Sequence, residues 1–237
     1  MAPPALEGSA TAGAPDGRST PCRIAVLASG RGSNLQALLD AIAGGRLHAT
    51  VCGVFSDRTD APALARARAA GIPATALSPR AFADRAAFDA ALFERVDASR
   101  PDLIVCAGYM RLLGADVVAP RSARMINVHP SLLPAFKGLH THRQALAAGV
   151  TEHGASIHFV TADLDGGPVA AQAVVPVHAG DDEAMLAARV LVREHPLLVA
   201  TVELLASGRL ALECDGIVYD GARLQAPLQL PANNRFA

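Results

Sequence analysis

"RIAVLASGRGSNLQALLDAI", residues 23–42, decides the fold. It opens with a short apolar run, passes through "SGRGS", and then repeats Leu35, Leu38, Leu39 and Ile42 at helical spacing. A strand, a glycine turn and an amphipathic helix in that order begin an α/β unit. Gly30 and Gly32 let the backbone approach a ligand closely, and the free N–H groups and dipole at the helix start favour an anion, phosphate being the natural one. The stretch is not the dinucleotide fingerprint, because the third glycine would fall where Leu35 stands. Ser33 and Gln36 also fit a capping box, so a well-capped helix without a ligand is the competing reading.

The pattern repeats outward. "TVCGVFS" (50–56) reads as a strand, "APALARARAAG" (61–71) as a helix closed by glycine, and "IPATAL" (72–77) as a third strand. Phe88, Leu92 and Val96 mark one helix face, and "DLIVCAG" (102–108) is the fourth strand. Such alternation predicts an α/β fold: a mostly parallel twisted sheet with helices on both faces, Rossmann-like over residues 22–122.

Residues 123–225 add a strand ending at His129, a helix at 141–149, strands at 155–161 and 168–177, and a helix from near Asp182 to about Ala206. Pro196 has no N–H and crowds the carbonyl of Val192, which predicts a kink or break there. A hairpin over 210–221 should turn at Asp215-Gly216. Residues 1–21 read as a flexible extension without the basic and apolar regions of a signal peptide, and 226–237 as a loose tail.

The 237 residues are 51% hydrophobic and 18% charged, which excludes a disordered chain, and no apolar run is long enough to span a membrane. A net charge of -1 gives no electrostatic reason to expect nucleic acid or an anionic membrane as partner. Cys22, Cys52, Cys106 and Cys214 form no C-x-x-C pair, so a reduced, cytoplasmic setting fits better than a disulfide framework or zinc knuckle.

"MINVHPSLLP" (125–134) holds the candidate chemistry. Strand side chains alternate, so Asn127 and His129 project from one face, about 6.5–7 Å apart, and Pro130 ends the strand and leaves them at its rim. A satisfied core amide and a core histidine are the ordinary alternative. The turn carrying Asp163, Asp165, Gly166 and Gly167 could swing a carboxylate toward that rim, giving an amide, an imidazole and an acid suited to acyl chemistry. The His140-Thr-His142 spacing and the lack of acidic ligands argue against a metal, and Ser131 lacks the nucleophile elbow.

In their order and spacing, "ASGRGSNLQAL", "AGYMRLL", "NVHPSLLPAFKGLHTHRQAL", "GASIHFVTADLDGGPV" and Glu194-His195 resemble the folate-dependent formyltransferases over roughly residues 23–225. "KGLHTHRQAL" narrows the resemblance to the phosphoribosylglycinamide formyltransferase family. The resemblance implies a single formyltransferase domain over 22–225. Its co-substrate would be 10-formyltetrahydrofolate, its acceptor the amine of glycinamide ribonucleotide, and no metal would be needed. It also implies Asn127, His129 and Asp165 as the catalytic trio, with Asp165 keeping His129 charged and His158 orienting the trio. Gly32, Ser33, Asn34 and Glu194 would hold the nucleotide; Met110, Arg111, Leu113, Asp163 and Leu164 would line the folate pocket. One departure is Pro196 directly after His195, where the family has a Tyr-Pro pair a few residues on. A formyltetrahydrofolate hydrolase, a methionyl-tRNA formyltransferase and a non-catalytic nucleotide-binding module are the rivals. The first two are disfavoured here because residues 1–21 and those after Gly208 are too few for their extra domains. Oligomeric state is not legible.

Overall fold

Alternate residues of the first strand enter two different cores. In β1 (Cys22–Leu27), Ile24 and Val26 join one apolar cluster while Ala25 and Leu27 join another, because strand side chains point alternately to opposite faces. The computed structural model describes residues 20–236, and the extension expected over 1–21 lies outside the described residues up to 19. After β1 come α1 (Ser33–Ala43), β2 (Ala49–Ser56), α2 (Pro62–Ala69), β3 (Ala74–Ala76), α3 (Arg85–Ala98) and β4 (Leu103–Cys106). The second half holds α4 (Ala115–Val118), β5 (Met125–His129), α5 (Thr141–Ala147), β6 (Glu152–Phe159), β7 (Val169–Pro176) and α6 (Glu183–Ala206). The chain ends in β8 (Leu210–Glu213), β9 (Gly216–Tyr219), β10 (Ala222–Arg223) and β11 (Leu228–Gln229).

The main sheet has eight strands in the order β11-β7-β6-β5-β4-β1-β2-β3. Five of its seven pairings are parallel, so the sheet is mostly parallel as expected; β5–β6 and β6–β7 are the antiparallel ones. α1, α2 and α6 supply Leu35, Leu38, Leu64, Leu197 and Leu198 to one face, and α3 supplies Phe88, Leu92 and Val96 to the other. The strand order reverses between β1 and β4, and ligands of open α/β sheets bind outside the carboxyl ends of the strands at such a point.

Four expectations need correction. Of the kink or break expected at Pro196, the break does not occur: α6 is one helix through Pro196, because buried Val190, Glu194, Leu197, Leu198 and Thr201 on both sides of it hold the helix against the sheet. Tertiary packing there outweighs the lost backbone bond. The tail expected to be loose over 226–237 is tied down within its described residues: Leu228 and Gln229 pair in parallel with Ala171 and Gln172, and the Arg193 guanidinium donates to Leu230 O at 2.8 Å. The β6 strand begins at Glu152 rather than Ala155, since its pairing with β7 continues to Pro176 and buries His153. The last hairpin turns at Cys214-Asp215, Gly216 being the first residue of β9, and β10 makes it a three-stranded meander.

Candidate active site

Asn127 and His129 lie on β5 opposite the face from which Ile126 and Val128 enter the core, at the carboxyl end of the last parallel strand before the sheet turns antiparallel. The neighbouring strand brings His158 directly across from Asn127, with Asn127 Nδ2 3.1 Å from His158 Nε2. Asp165 reaches both imidazoles from the loop after β6: its Oδ2 is 3.5 Å from His129 Nδ1 and its Oδ1 3.5 Å from His158 Nε2. The Gly138 N–H donates to Asp165 Oδ2 at 2.8 Å. The structure therefore gathers Asn127, His129, His158 and Asp165 at one spot.

The turn that delivers the carboxylate is tightly built. Asp165 itself adopts φ +44, a left-handed conformation that non-glycine residues seldom take outside special sites. At Gly167 an added Cβ would lie 1.9 Å from the Phe159 carbonyl oxygen, so only glycine fits. Beneath the site, Ser131 is fully buried and donates to Ala135 O at 2.7 Å, while Ser156 Oγ donates to Ser131 O at 2.6 Å and Gln172 Nε2 to Leu133 O at 2.9 Å. These bonds nail the 130–135 loop to β6 and β7, giving Ser131 a structural task.

His129 Nε2 stands 3.0 Å from the Phe136 carbonyl. A carbonyl only accepts, so Nε2 carries the proton and Nδ1 is left facing Asp165. Burial lowers the His129 pKa below its ordinary value; the Phe136 carbonyl and Asp165 oppose that shift without reversing it. The net shift favours the neutral imidazole, with Asp165 pulling the other way. At Asp165, burial acts upward, but hydrogen bonds from His158 and the Gly138 N–H, with His129 nearby, carry the carboxyl below its ordinary value.

The trio opens into a cleft of about 630 Å³ whose wall includes Met110, Arg111, Leu113, Asp163 and Leu164. All five residues assigned from the resemblance to a folate pocket thus meet the trio in one cavity. Sequence reasoning missed Leu112 and Leu139, which line the same cleft with more than half of each side chain exposed, and Glu183 at the start of α6. Exposed leucines carry no mark in the sequence that separates them from core leucines. Cys106 also lines the cleft, but burial pushes its thiol up to about 12, which keeps it protonated and unreactive.

The residues assigned to the nucleotide sit on the α1 side of the β1–β4 crevice. Gly32, at φ +74, occupies the helix N-cap, so the capping box does not form; Gln36 bonds to Asp40 and Arg66 instead. Ser33 lines a separate hollow of about 350 Å³ with Gln36, Arg46, Arg66 and His195. Asn34 Nδ2 donates to Glu194 Oε1 at 2.7 Å across the α1–α6 junction, and both residues are buried. Asn34 Oδ1 has no partner. Burial raises the Glu194 carboxyl, with Asn34 opposing. Among the described residues, no group of three or more His, Cys, Asp or Glu is arranged to hold a metal ion, and no helix is long and apolar enough to cross a membrane.

Fold and site together define a formyl transferase, and residues 22–202 match the family model described as formyl transferase. The chain is 49% identical over 201 residues to phosphoribosylglycinamide formyltransferase of Escherichia coli K12, covering 85% of this chain and 95% of that one. The solved phosphoribosylglycinamide formyltransferase of Coxiella burnetii superposes with a TM-score of 0.86 at 43% identity, over 89% of this chain and 100% of that one. Glycinamide ribonucleotide transformylase 1 of Symbiobacterium toebii gives a TM-score of 0.81 at 47% identity, over 84% and 94%. The chain belongs to the phosphoribosylglycinamide formyltransferase family.

Proposed function

We propose that the protein transfers the formyl group of 10-formyltetrahydrofolate to the primary amine of glycinamide ribonucleotide. The observation that carries this reading is the convergence of an amide, a buried imidazole and a carboxylate at the mouth of a large, partly apolar cleft. The pterin enters that cleft beside Met110, Arg111 and Leu113, and the 163–165 loop closes its side. The nucleotide lies toward the α1 loop, its phosphate on the N–H groups after Gly32 and its ribose hydroxyls beside the Asn34–Glu194 pair, whose unpartnered oxygen calls for a donor.

The neutral amine attacks the formyl carbon, forming a C–N bond and a tetrahedral oxyanion. Asn127 supplies an amide donor to that oxygen. His129 Nδ1 takes the proton shed by the amine, and the imidazolium that forms lies between the Phe136 carbonyl and Asp165. The intermediate then expels the folate N10, which recovers that proton, leaving tetrahydrofolate and the formylated nucleotide. His158 holds Asn127 and Asp165 in register. The scheme needs neither a metal nor a covalent enzyme intermediate.

The test is to follow tetrahydrofolate production from 10-formyltetrahydrofolate with and without glycinamide ribonucleotide. Production only with the nucleotide is expected. Production without it would make the protein a hydrolase, and silence in both would leave a binding module.

A further inference from the structure

Ser29 follows β1 and immediately precedes the glycine turn, and it lines neither hollow. It is 4% exposed, and both its N–H and its hydroxyl are engaged. Its N–H donates to Gly108 O at 3.0 Å. Its hydroxyl donates to Asp57 Oδ1 at 2.5 Å, and the same oxygen accepts the Met110 N–H at 3.0 Å. Gly108 and Met110 belong to the loop after β4 that lines the cleft. The next two residues are pinned to the other side: Gly30 O accepts the Ala63 N–H at 3.2 Å, and Arg31 O accepts Arg66 Nε at 2.9 Å.

The direction of the chain of bonds follows from the donors available. A carboxylate only accepts, so Asp57 fixes where the Ser29 proton points, and that leaves a lone pair of the hydroxyl for the Met110 N–H. The loop assigned to the nucleotide and the loop assigned to the folate are thus joined through one side chain.

We propose that Ser29 is a positioning residue that couples the two substrate loops, with Asp57 orienting its hydroxyl, a role that rests on the formyl-transfer reading above. A ligand that orders one loop orders the other, so each substrate tightens the other's binding by the same factor. Ser29→Ala removes the acceptor of the Met110 N–H and the donor to Asp57 together. A hydrogen bond of ordinary net strength corresponds to about a fivefold effect on affinity.

The experiment titrates tetrahydrofolate calorimetrically, with and without saturating glycinamide ribonucleotide, a pair that cannot react. In the unmodified protein the nucleotide should tighten tetrahydrofolate by about fivefold, and in Ser29→Ala by no more than about the factor of one that uncoupled sites give. Steady-state rates should show the KM for 10-formyltetrahydrofolate raised about fivefold in Ser29→Ala with kcat nearly unchanged, a split that a loss of folded protein does not produce. Asp57→Asn keeps an acceptor and should retain the coupling, whereas Asp57→Ala should lose it, so the outcome does not hang on one variant. Coupling that persists in Ser29→Ala, coupling absent from the unmodified protein, or equal damage from the two Asp57 variants overturns the proposal. In each of those cases turnover by the unmodified protein leaves the transferase reading standing; absence of turnover overturns both.

Discussion

At the scale of residues, the site depends on which partner each polar atom faces. His129 would be a poor base if Asp165 kept it charged, and burial acts against that. Because its pKa lies below the ordinary 6.5, kcat/KM should hold level through neutral pH and fall only as acid protonates His129, with the limb below pH 6.5. Asp165, below its ordinary 3.8, stays ionised throughout that range. A pH–rate profile checks both statements, and an acid limb above 6.5 would count against the neutral imidazole. His129→Ala and Asn127→Ala should each lower kcat by roughly a hundredfold or more with the fold intact, as measured by turnover beside circular dichroism. Gly167→Ala should damage the same reaction by another route. Its Cβ would meet the Phe159 carbonyl at 1.9 Å, displace the turn and move Asp165 away from both histidines. Thermal melting of that variant should also show a lower Tm.

At the scale of elements, α6 carries the clearest conflict between local and tertiary preference. Its proline costs a backbone bond in mid-helix, yet the helix continues for 24 residues because one side of it is buried against β6, β7 and α1. Pro196→Ala should therefore raise stability by about 1–3 kcal/mol in urea unfolding, provided the hollow beside Ser33 tolerates the smaller side chain. The same helix holds the chain terminus: Arg193 donates to Leu230 O, Pro231 O and Asn234 Oδ1. Arg193→Ala should free β11, and hydrogen exchange at Leu230, whose N–H bonds to Gln172 O at 2.8 Å, should rise toward that of an open strand.

At the scale of the whole molecule, several histidines are folded into places that disfavour their charged forms. Burial, with repulsion from His142 and His129, lowers His153 to about 4, and burial also depresses His129, His142 and His195. The unfolded chain takes up these protons near pH 6.5, while the folded His153 takes its proton only near 4. Between those values the unfolded state binds more protons, so stability must fall as the pH drops from 6.5 toward 4 and be insensitive to these groups above 6.5. Melting curves across that range check the sign. A His153→Gln variant that still folds should show a shallower loss.

How much of this was legible depends on the range of the interactions involved. The first α/β half could be read from "RIAVLASGRGSNLQALLDAI" and its repeats because apolar periodicity is local, and the face shared by Asn127 and His129 follows from strand alternation alone. The motif order was enough to name the family. What only the tertiary structure decided is each place where distant segments meet. Asn34 bonds Glu194 from 160 positions away, Ser29 joins two loops, β11 completes the sheet, and α6 passes Pro196 unbroken. The burial that lowers the His129 pKa is likewise set by packing. Each of these outcomes depends on which atoms surround a group, and those neighbours are set when the chain packs, not by the residues beside them in the chain.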